Sequence, residues 1–143
     1  MKNGITILHA RVINNIPLGA IESSTIHGYG LFAQQDISFE SVLASLDGEI
    51  VPWSVYKMTR DMTKDTFNEW NALTTKMLLV RPRRTKYSFI NHSRKPNCTI
   101  VHLGNRLYVR TITDIPRREE LTLDYRLEPL PPEYVSSAGA IYL

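Results

Sequence analysis

The chain is divided into short β-prone runs by closely spaced turn residues. Pro17-Leu18-Gly19 and Asp47-Gly48 are turn signals of this kind, and each lies between runs rich in β-branched residues. The predicted strands are residues 5–13, 20–23, 31–33, 41–46, 49–51 and 106–112. Because short strands dominate, we predict a compact, mostly β domain.

One segment, residues 58–76, is predicted to form a helix inserted among these strands. Thr63 or Asp65 is suited to cap its first turn. Apolar residues recur at helical spacing at Phe67, Trp70 and Leu73. We expect this stripe to pack in the core rather than to bind a ligand.

Length and composition favour a single domain over residues 1–143. A chain of 143 residues that is 43% hydrophobic is long enough to bury a core. No apolar run approaches the roughly 20 residues of a membrane span, and the first residues lack a secretory signal. The single cysteine, Cys98, fits a reducing compartment. We therefore predict an intracellular location, in the cytoplasm or nucleus, and no membrane partner.

The chain is basic, with 17 Lys and Arg residues against 14 Asp and Glu residues. Its densest basic cluster is residues 81–86. A run of charge is usually a solvated loop, and this interpretation is favoured, but a surface that binds nucleic acid is the alternative. No aromatic residue lies among residues 81–86, so stacking on single-stranded bases gains no support.

Polar side chains follow directly on an apolar pair at Phe89-Ile90. Asn91-His92-Ser93 is suited to bind a polar ligand, and Pro96-Asn97 then bends the chain away. A simple turn, in which Asn91 bonds its own backbone, is the alternative. The four histidines show no metal-ligand spacing, and nothing in the sequence activates Cys98 as a nucleophile. We therefore predict no metal.

Two further motifs flank this one along the chain. Gly28-Tyr29-Gly30 by itself predicts a tight turn, because glycine tolerates positive φ. A dinucleotide site is excluded, since the third glycine and the following helix are missing. Residues 119–125 (EELTLDY) form a short β-prone run that ends in Tyr125, a position that is commonly half-buried packing.

In this order, G-x-G-L-F-A, N-H-S-x-x-P-N and E-E-L-T-x-D-Y resemble the signature motifs of SET-domain protein lysine methyltransferases. The resemblance covers residues from about 24 to 126. It implies a SET-type β-clip fold with a helical insertion and a knot-like C-terminal site. The activity implied is methyl transfer from S-adenosylmethionine to a lysine of a protein substrate, with a histone tail as one candidate. Without cysteine-rich segments, the chain is most similar to the minimal, zinc-free viral and bacterial type.

The resemblance also implies roles for individual residues. Tyr125 is expected to orient the methyl group and the amine in catalysis. The backbone of Gly28, Tyr29 and Gly30 is expected to approach the cofactor. Asn91 would bind the amino group of the cofactor, and the backbone of His92 its adenine.

Departures from the family pattern lie around this site. Ser88 replaces the usual arginine, so Arg83 or Arg84 is expected to meet the cofactor carboxylate. Leu46 and Leu123 stand at substrate-channel positions where the family has aromatic residues, which predicts a drier channel and two or three added methyl groups.

The tail, residues 127–143, offers Tyr134 and Tyr142 after a proline-rich stretch that is expected to be irregular. Tyr134 is the better candidate to pack on the cofactor or to cover the lysine channel. Because two channel hydroxyls are missing, a non-catalytic SET-like binding module is the alternative function. A homodimer is left open.

Overall fold

The computed structural model describes residues 12–62 and 68–143. The strands in these ranges are β1 (Gly19–Ser23), β2 (Tyr29–Ala33), β3 (Val42–Leu46), β4 (Glu49–Pro52), β5 (Glu69–Ala72), β6 (Met77–Arg81), β7 (Asn91–His92), β8 (Cys98–Leu103), β9 (Arg106–Thr111) and β10 (Thr122–Leu123). The α-helices are α1 (Trp53–Met62) and α2 (Pro132–Ser136), and the 3₁₀ helices are Lys86–Phe89, Tyr125–Leu127 and Ala138–Ile141.

The mostly β fold predicted from the sequence is confirmed. Strands β1, β2, β3, β4 and β9 overlap the segments predicted from β-branched runs and turn signals. The predicted strand 5–13 lies outside the described residues except for its last two, of which Ile13 forms a bridge to Thr85.

The strands form small sheets, and the hairpin β1-β2 is one of them. Two three-stranded antiparallel sheets have the orders β3-β9-β8 and β4-β6-β5, and β7 pairs with β10 in parallel. The main core is built of side chains from several of these sheets, including Leu31, Leu43, Leu46, Ile90, Leu107, Val109, Leu121 and Leu123. The apolar surface that they bury stabilises the scaffold that carries β7 and β10.

The helical insertion was placed wrongly by the sequence pattern. The helix ends at Met62, and residues 69–72, predicted as helix, form strand β5. The apolar strand β6 pairs with β4 on one side and β5 on the other. Arg81 on β6 also bonds Glu69 and Asn71, so tertiary pairing overrides the helical spacing around Trp70. Thr63, Asp65 and Phe67 lie outside the described residues.

The C-terminal tail is more regular than its prolines predict. Pro132 takes the first position of α2, where its missing N–H costs no helical bond. The Glu133 carboxylate accepts hydrogen bonds from Trp53 Nε1 at 3.3 Å and from Lys57 Nζ at 3.0 Å. The ring of Tyr134 meets the Trp70 ring edge-on, with centroids 5.1 Å apart. The tail therefore packs against α1 and β5.

Within the described ranges, none of the helices has the length and apolar character needed to cross a membrane.

Candidate active site

The parallel pairing of β7 with β10 brings the second and third motifs together. Asn91 lies opposite Thr122 and His92 opposite Leu123, and Ser93 N–H donates to the Leu123 carbonyl at 2.9 Å. Parallel neighbours need a long connection, which the β8-β9 hairpin supplies here. As a result, Asn91 and His92 lie beside Tyr125.

Asn97 fixes this arrangement from the loop that follows Pro96. Its Nδ2 donates to the Glu120 carbonyl at 2.8 Å, and its Oδ1 accepts from the Thr122 N–H at 2.8 Å. One side chain thus takes the place of a strand neighbour for residues 120–122 and holds β10 in register.

The Asn91 amide joins the second motif to the glycine turn. Asn91 Nδ2 lies 3.1 Å from the Tyr29 carbonyl oxygen, 3.3 Å from that of His27, 3.2 Å from Ser24 Oγ and 2.8 Å from Glu120 Oε2. An amide group has two N–H donors, so four acceptors exceed what Asn91 can satisfy. The excess of acceptors suits a further donor, especially a positively charged one.

Glu120, from the third motif, also belongs to this cluster. Its carboxylate accepts from Ser24 Oγ at 2.8 and 2.9 Å as well as from Asn91. A Cβ atom on Gly30 would overlap Glu120 Oε2 and lie 3.1 Å from Asn91 Nδ2. Only tertiary structure reveals this contact, because Glu120 and Ser24 are far apart in sequence.

At Gly28 the backbone conformation, and not a lack of space, favours glycine. Its φ is +45°, a conformation that other residues rarely adopt, while a Cβ there would meet nothing within 4 Å. The side chain of Tyr29, between the two glycines, is exposed. The turn therefore presents its backbone beside Asn91 and Glu120.

His92 contributes a buried donor that has no hydrogen-bond partner within the described residues. Its Nδ1 accepts the Tyr125 backbone N–H at 3.0 Å, which leaves the proton of the neutral ring on Nε2. The side chain is only 10% exposed, and Nε2 has no hydrogen-bond partner among residues 12–62 and 68–143. An unsatisfied buried donor costs about 1–3 kcal/mol, so this nitrogen is suited to a ligand acceptor.

Tyr125 begins the 3₁₀ helix that follows β10. Its hydroxyl donates to the Ile90 carbonyl oxygen, and its ring centroid lies 5.2 Å from that of His92. Burial raises the pKa of Tyr125, so the hydroxyl stays protonated at neutral pH.

Asp124 holds the start of this 3₁₀ helix. It accepts Arg126 N–H at 3.1 Å and the Arg126 guanidinium at 2.6 Å, and these hydrogen bonds lower the pKa of Asp124. The pair therefore fixes the backbone that carries Tyr125.

A cavity of about 220 Å³ opens beside Tyr125. Its aromatic walls are Trp70, Tyr87, Tyr125, Tyr134 and Tyr142, and its carboxylates are Glu69 and Glu128. The hydroxyls of Tyr134 and Tyr142 hydrogen-bond to each other. The C-terminal tail therefore forms one wall of the cavity.

The two predicted channel leucines lie elsewhere. Leu46 and Leu123 are each 4% exposed and belong to the main core. Neither is among the described residues that line the cavity. Their assignment to a substrate channel stays a prediction.

Arg84 lies beside the serine that replaces the family arginine. Its Nε donates to Ser88 Oγ at 3.3 Å, and its guanidinium carbon lies 4.6 Å from the centroid of the Phe89 ring. A guanidinium group is thus present next to position 88, but it comes from four residues earlier.

The described residues give no support to a cysteine nucleophile or to a metal site. Cys98 is 1% exposed, and burial raises the pKa of its thiol to about 12, so it is not an activated thiolate. In the part of the chain that the structure describes, no three His, Cys, Asp or Glu side chains come together as a metal-binding group.

Three of the four basic side chains at 81–86 contact other parts of the protein. Arg81 is buried against Glu69, Arg84 lies on Phe89, and Lys86 Nζ donates to the Gly19 carbonyl at 2.6 Å. These contacts favour the interpretation of a structural loop over a surface for nucleic acid.

Comparisons with known proteins agree with this geometry. Residues 28–126, most of the chain, match the SET domain family. The chain is 33% identical over 113 residues to a histone-lysine N-methyltransferase, H3 lysine-4 specific, of Aspergillus oryzae, with 73% of this chain and 9% of the relative covered. The protein of the same name from Saccharomyces cerevisiae is 29% identical over 118 residues, with 73% and 10% covered. This chain spans about a tenth of the length of the curated relatives that it matches. The family match and the convergence of the three motifs in space show that the chain belongs to the SET-domain family.

Proposed function

We propose that this protein transfers methyl groups from S-adenosylmethionine to the side-chain amine of lysine in a protein substrate, with a histone tail as the leading candidate. The observation that carries the proposal is the parallel pairing that sets Asn91 and His92 beside Tyr125. Two H3 lysine-4 specific relatives, those of Aspergillus oryzae and Saccharomyces cerevisiae, support a histone substrate. A histone substrate in chromatin would require a nuclear location.

The described residues fit the cofactor that this activity needs. The surplus acceptors around Asn91 suit the charged amino group, and Arg84 beside Ser88 suits the carboxylate. The buried Nε2 of His92 is a donor for a ring nitrogen or another acceptor. The backbone at Gly28, where a Cβ would meet nothing within 4 Å, allows close approach. Asn91, His92 and the turn 28–30 would therefore hold the cofactor.

When bound, S-adenosylmethionine would supply a methyl group on a positively charged sulfur. The amine would form a bond to the methyl carbon in line with the carbon–sulfur bond that breaks. The protein has to align the amine and exclude water, and alignment of this kind can contribute about 7–11 kcal/mol of barrier reduction. Tyr125 lies in the cavity wall, and its hydroxyl is oriented by the hydrogen bond that it donates to the Ile90 carbonyl. Because Tyr125 stays protonated, it orients the reacting groups and does not act as a base.

Methyl transfer needs the neutral form of the substrate amine. A lysine in water has a pKa of about 10.4, and transfer into an apolar site lowers it. Tyr134 and Tyr142 of the tail exclude water on one side of this cavity. We propose that Tyr134 covers either the cofactor or the lysine.

The test is methyl transfer from radiolabelled S-adenosylmethionine to histone H3 and to a host-cell lysate. We expect Tyr125→Phe to lower kcat strongly with little change in cofactor affinity, the signature of an interaction made mainly in the transition state. Tyr108→Phe on β9 is the matched control, because Tyr108 is not among the described residues that line the cavity. Wild-type turnover in Tyr125→Phe would remove Tyr125 from catalysis.

Binding without turnover would instead support the non-catalytic SET-like module. Calorimetry with S-adenosylmethionine measures binding directly, and the same preparation is used for the transfer assay. If neither heat of binding nor transfer is seen, the proposed function fails.

A further inference from the structure

The cavity beside Tyr125 contains two carboxylates in different electrostatic states. Glu69 is 5% exposed and is fully engaged: its Oε2 accepts from Arg81 Nε and from Thr85 Oγ1 at 2.6 Å, and its Oε1 accepts from the Thr85 N–H at 2.8 Å. Arg81 neutralises its charge. Glu69 therefore has little capacity left for a ligand.

Glu128 has an oxygen to spare. Its Oε1 lies 3.1 Å from His102 Nε2, whereas its Oε2 has no hydrogen-bond partner within the described residues. The Glu128 side chain is 14% exposed, and it lies in the cavity wall near Tyr134 and Tyr142. Because this carboxylate is only partly buried, a donor or a cation that enters the cavity can bind the second oxygen.

We propose that Glu128 binds the ammonium group of the target lysine as it enters this cavity, and that His102 positions the Glu128 carboxylate. The inference rests on the proposed function, and it names a specificity residue of the same site. Tyrosine ring faces attract cations, so the tyrosines of the cavity wall and the Glu128 carboxylate both favour binding of an ammonium group. The ammonium group gives up its proton to solvent water before methyl transfer.

Several groups face Glu128 from the neighbouring elements. They are His102 on β8, Tyr87 on the helix 86–89, Tyr125, Tyr134 and Tyr142, with the Glu69–Arg81 pair behind Tyr87. Burial raises the pKa of Glu128, and the His102 hydrogen bond lowers it. The carboxylate is ionised above its pKa, so lysine binding is expected to strengthen as pH rises through that value.

Two peptides test the proposal without requiring turnover. One is an N-acetylated histone H3 amino-terminal peptide with lysine 4 as its sole lysine, and the other carries norleucine at that position. Calorimetry on wild type is expected to show at least about tenfold tighter binding of the lysine peptide. Glu128→Gln, which keeps the shape of the side chain, should reduce this preference to under about threefold and leave S-adenosylmethionine affinity unchanged.

Glu49→Gln is the matched control, because Glu49 is exposed on β4, at the opposite edge of its sheet from β5. It should behave like wild type. His102→Phe provides a second variant: without the hydrogen bond that lowers the pKa of Glu128, the midpoint of lysine binding should move to higher pH, and Glu128→Gln should remove this pH dependence.

Three outcomes overturn the proposal. Wild type binds the two peptides equally, or Glu128→Gln keeps the full preference for the lysine peptide. In the third outcome, Glu128→Gln lowers the affinity for S-adenosylmethionine instead, which would mean that Glu128 contacts the sulfonium of the cofactor. The peptide result is independent of catalysis. If the preference is lost in Glu128→Gln while wild type transfers no methyl group, lysine binding stands and the proposed function fails.

Discussion

Gly28 and Gly30 are glycines for different reasons, so Gly28→Ala and Gly30→Ala should have different effects on stability and on cofactor affinity. Gly30→Ala displaces the Glu120 carboxylate from Asn91, so cofactor binding should weaken with modest loss of stability. Gly28→Ala meets no neighbour but keeps positive φ, which costs about 1–2 kcal/mol in the free energy of unfolding. Calorimetry and urea denaturation measure the two effects, and equal loss of affinity in both variants would contradict this assignment.

Asn91 is expected to dominate cofactor affinity. Asn91→Ala removes an amide that bonds the glycine turn and Glu120, and it also removes the proposed contact with the charged amino group. We expect S-adenosylmethionine binding to weaken by about 1.5–3 kcal/mol. Calorimetry measures this change, with circular dichroism as the folding control. Unchanged affinity in a folded variant would return Asn91 to a structural turn.

Asp124 provides a pH-dependent contribution to stability. Hydrogen bonds from Arg126 lower its pKa in the folded protein. The stabilisation is therefore complete above the unfolded pKa of about 3.9 and is lost as pH falls through the lower folded value. The difference in unfolding free energy between wild type and Asp124→Asn should shrink from pH 6 toward pH 2. A difference that is constant over this range would contradict the linkage.

At the level of elements, the tail, residues 127–143, forms one wall of the cavity. Glu133 bonds Trp53 and Lys57 on α1, and Tyr134 packs on Trp70 of β5. Truncation after Glu128 should therefore reduce both cofactor binding and turnover. Unchanged binding and turnover in the truncated protein would show that the tail is dispensable.

Glu133→Gln tests the attachment of the tail alone. It removes the charge that bonds Lys57 but keeps both tyrosines in the chain. An exposed ion pair of this kind contributes only about 0–1 kcal/mol, so the variant should stay folded with a small loss of activity. Methyl transfer at limiting cofactor would measure this loss.

The sequence predicted the elements whose signals are local. Turn residues and β-branched runs located β1 to β4 and β9, and the three motifs located Asn91, His92 and Tyr125. The helix was misplaced because the partners of Glu69 and Trp70 lie on β6 and α2. Spacing along the chain cannot reveal them.

The same limit applies to the site. Glu120 meets Ser24 across the fold, and Glu128 meets His102 on β8. Both contacts join residues that no motif connects. The sequence thus identified the residues of the signature motifs, whereas the groups that surround them required the tertiary structure.

On the scale of the whole molecule, this chain corresponds to a small part of its relatives. The family match ends at residue 126, and the relatives are about ten times longer. The chain has a net charge of +3, but most basic side chains of the cluster 81–86 contact other parts of the protein. A homodimer stays a prediction that sedimentation equilibrium can measure.

The exposed turn at Gly104 and Asn105 lies between the two halves of the site. Residues before it supply the glycine turn, Asn91 and His92, and residues after it supply Glu120 and Tyr125. A chain cut at this turn would yield two fragments, each with only part of the site residues. The six residue pairs of the β8-β9 ladder and the β7-β10 pairing would hold the rejoined fragments together. Fused to two interacting proteins, the fragments would regain a site only where those proteins meet, which makes this fold a template for a split reporter of molecular proximity.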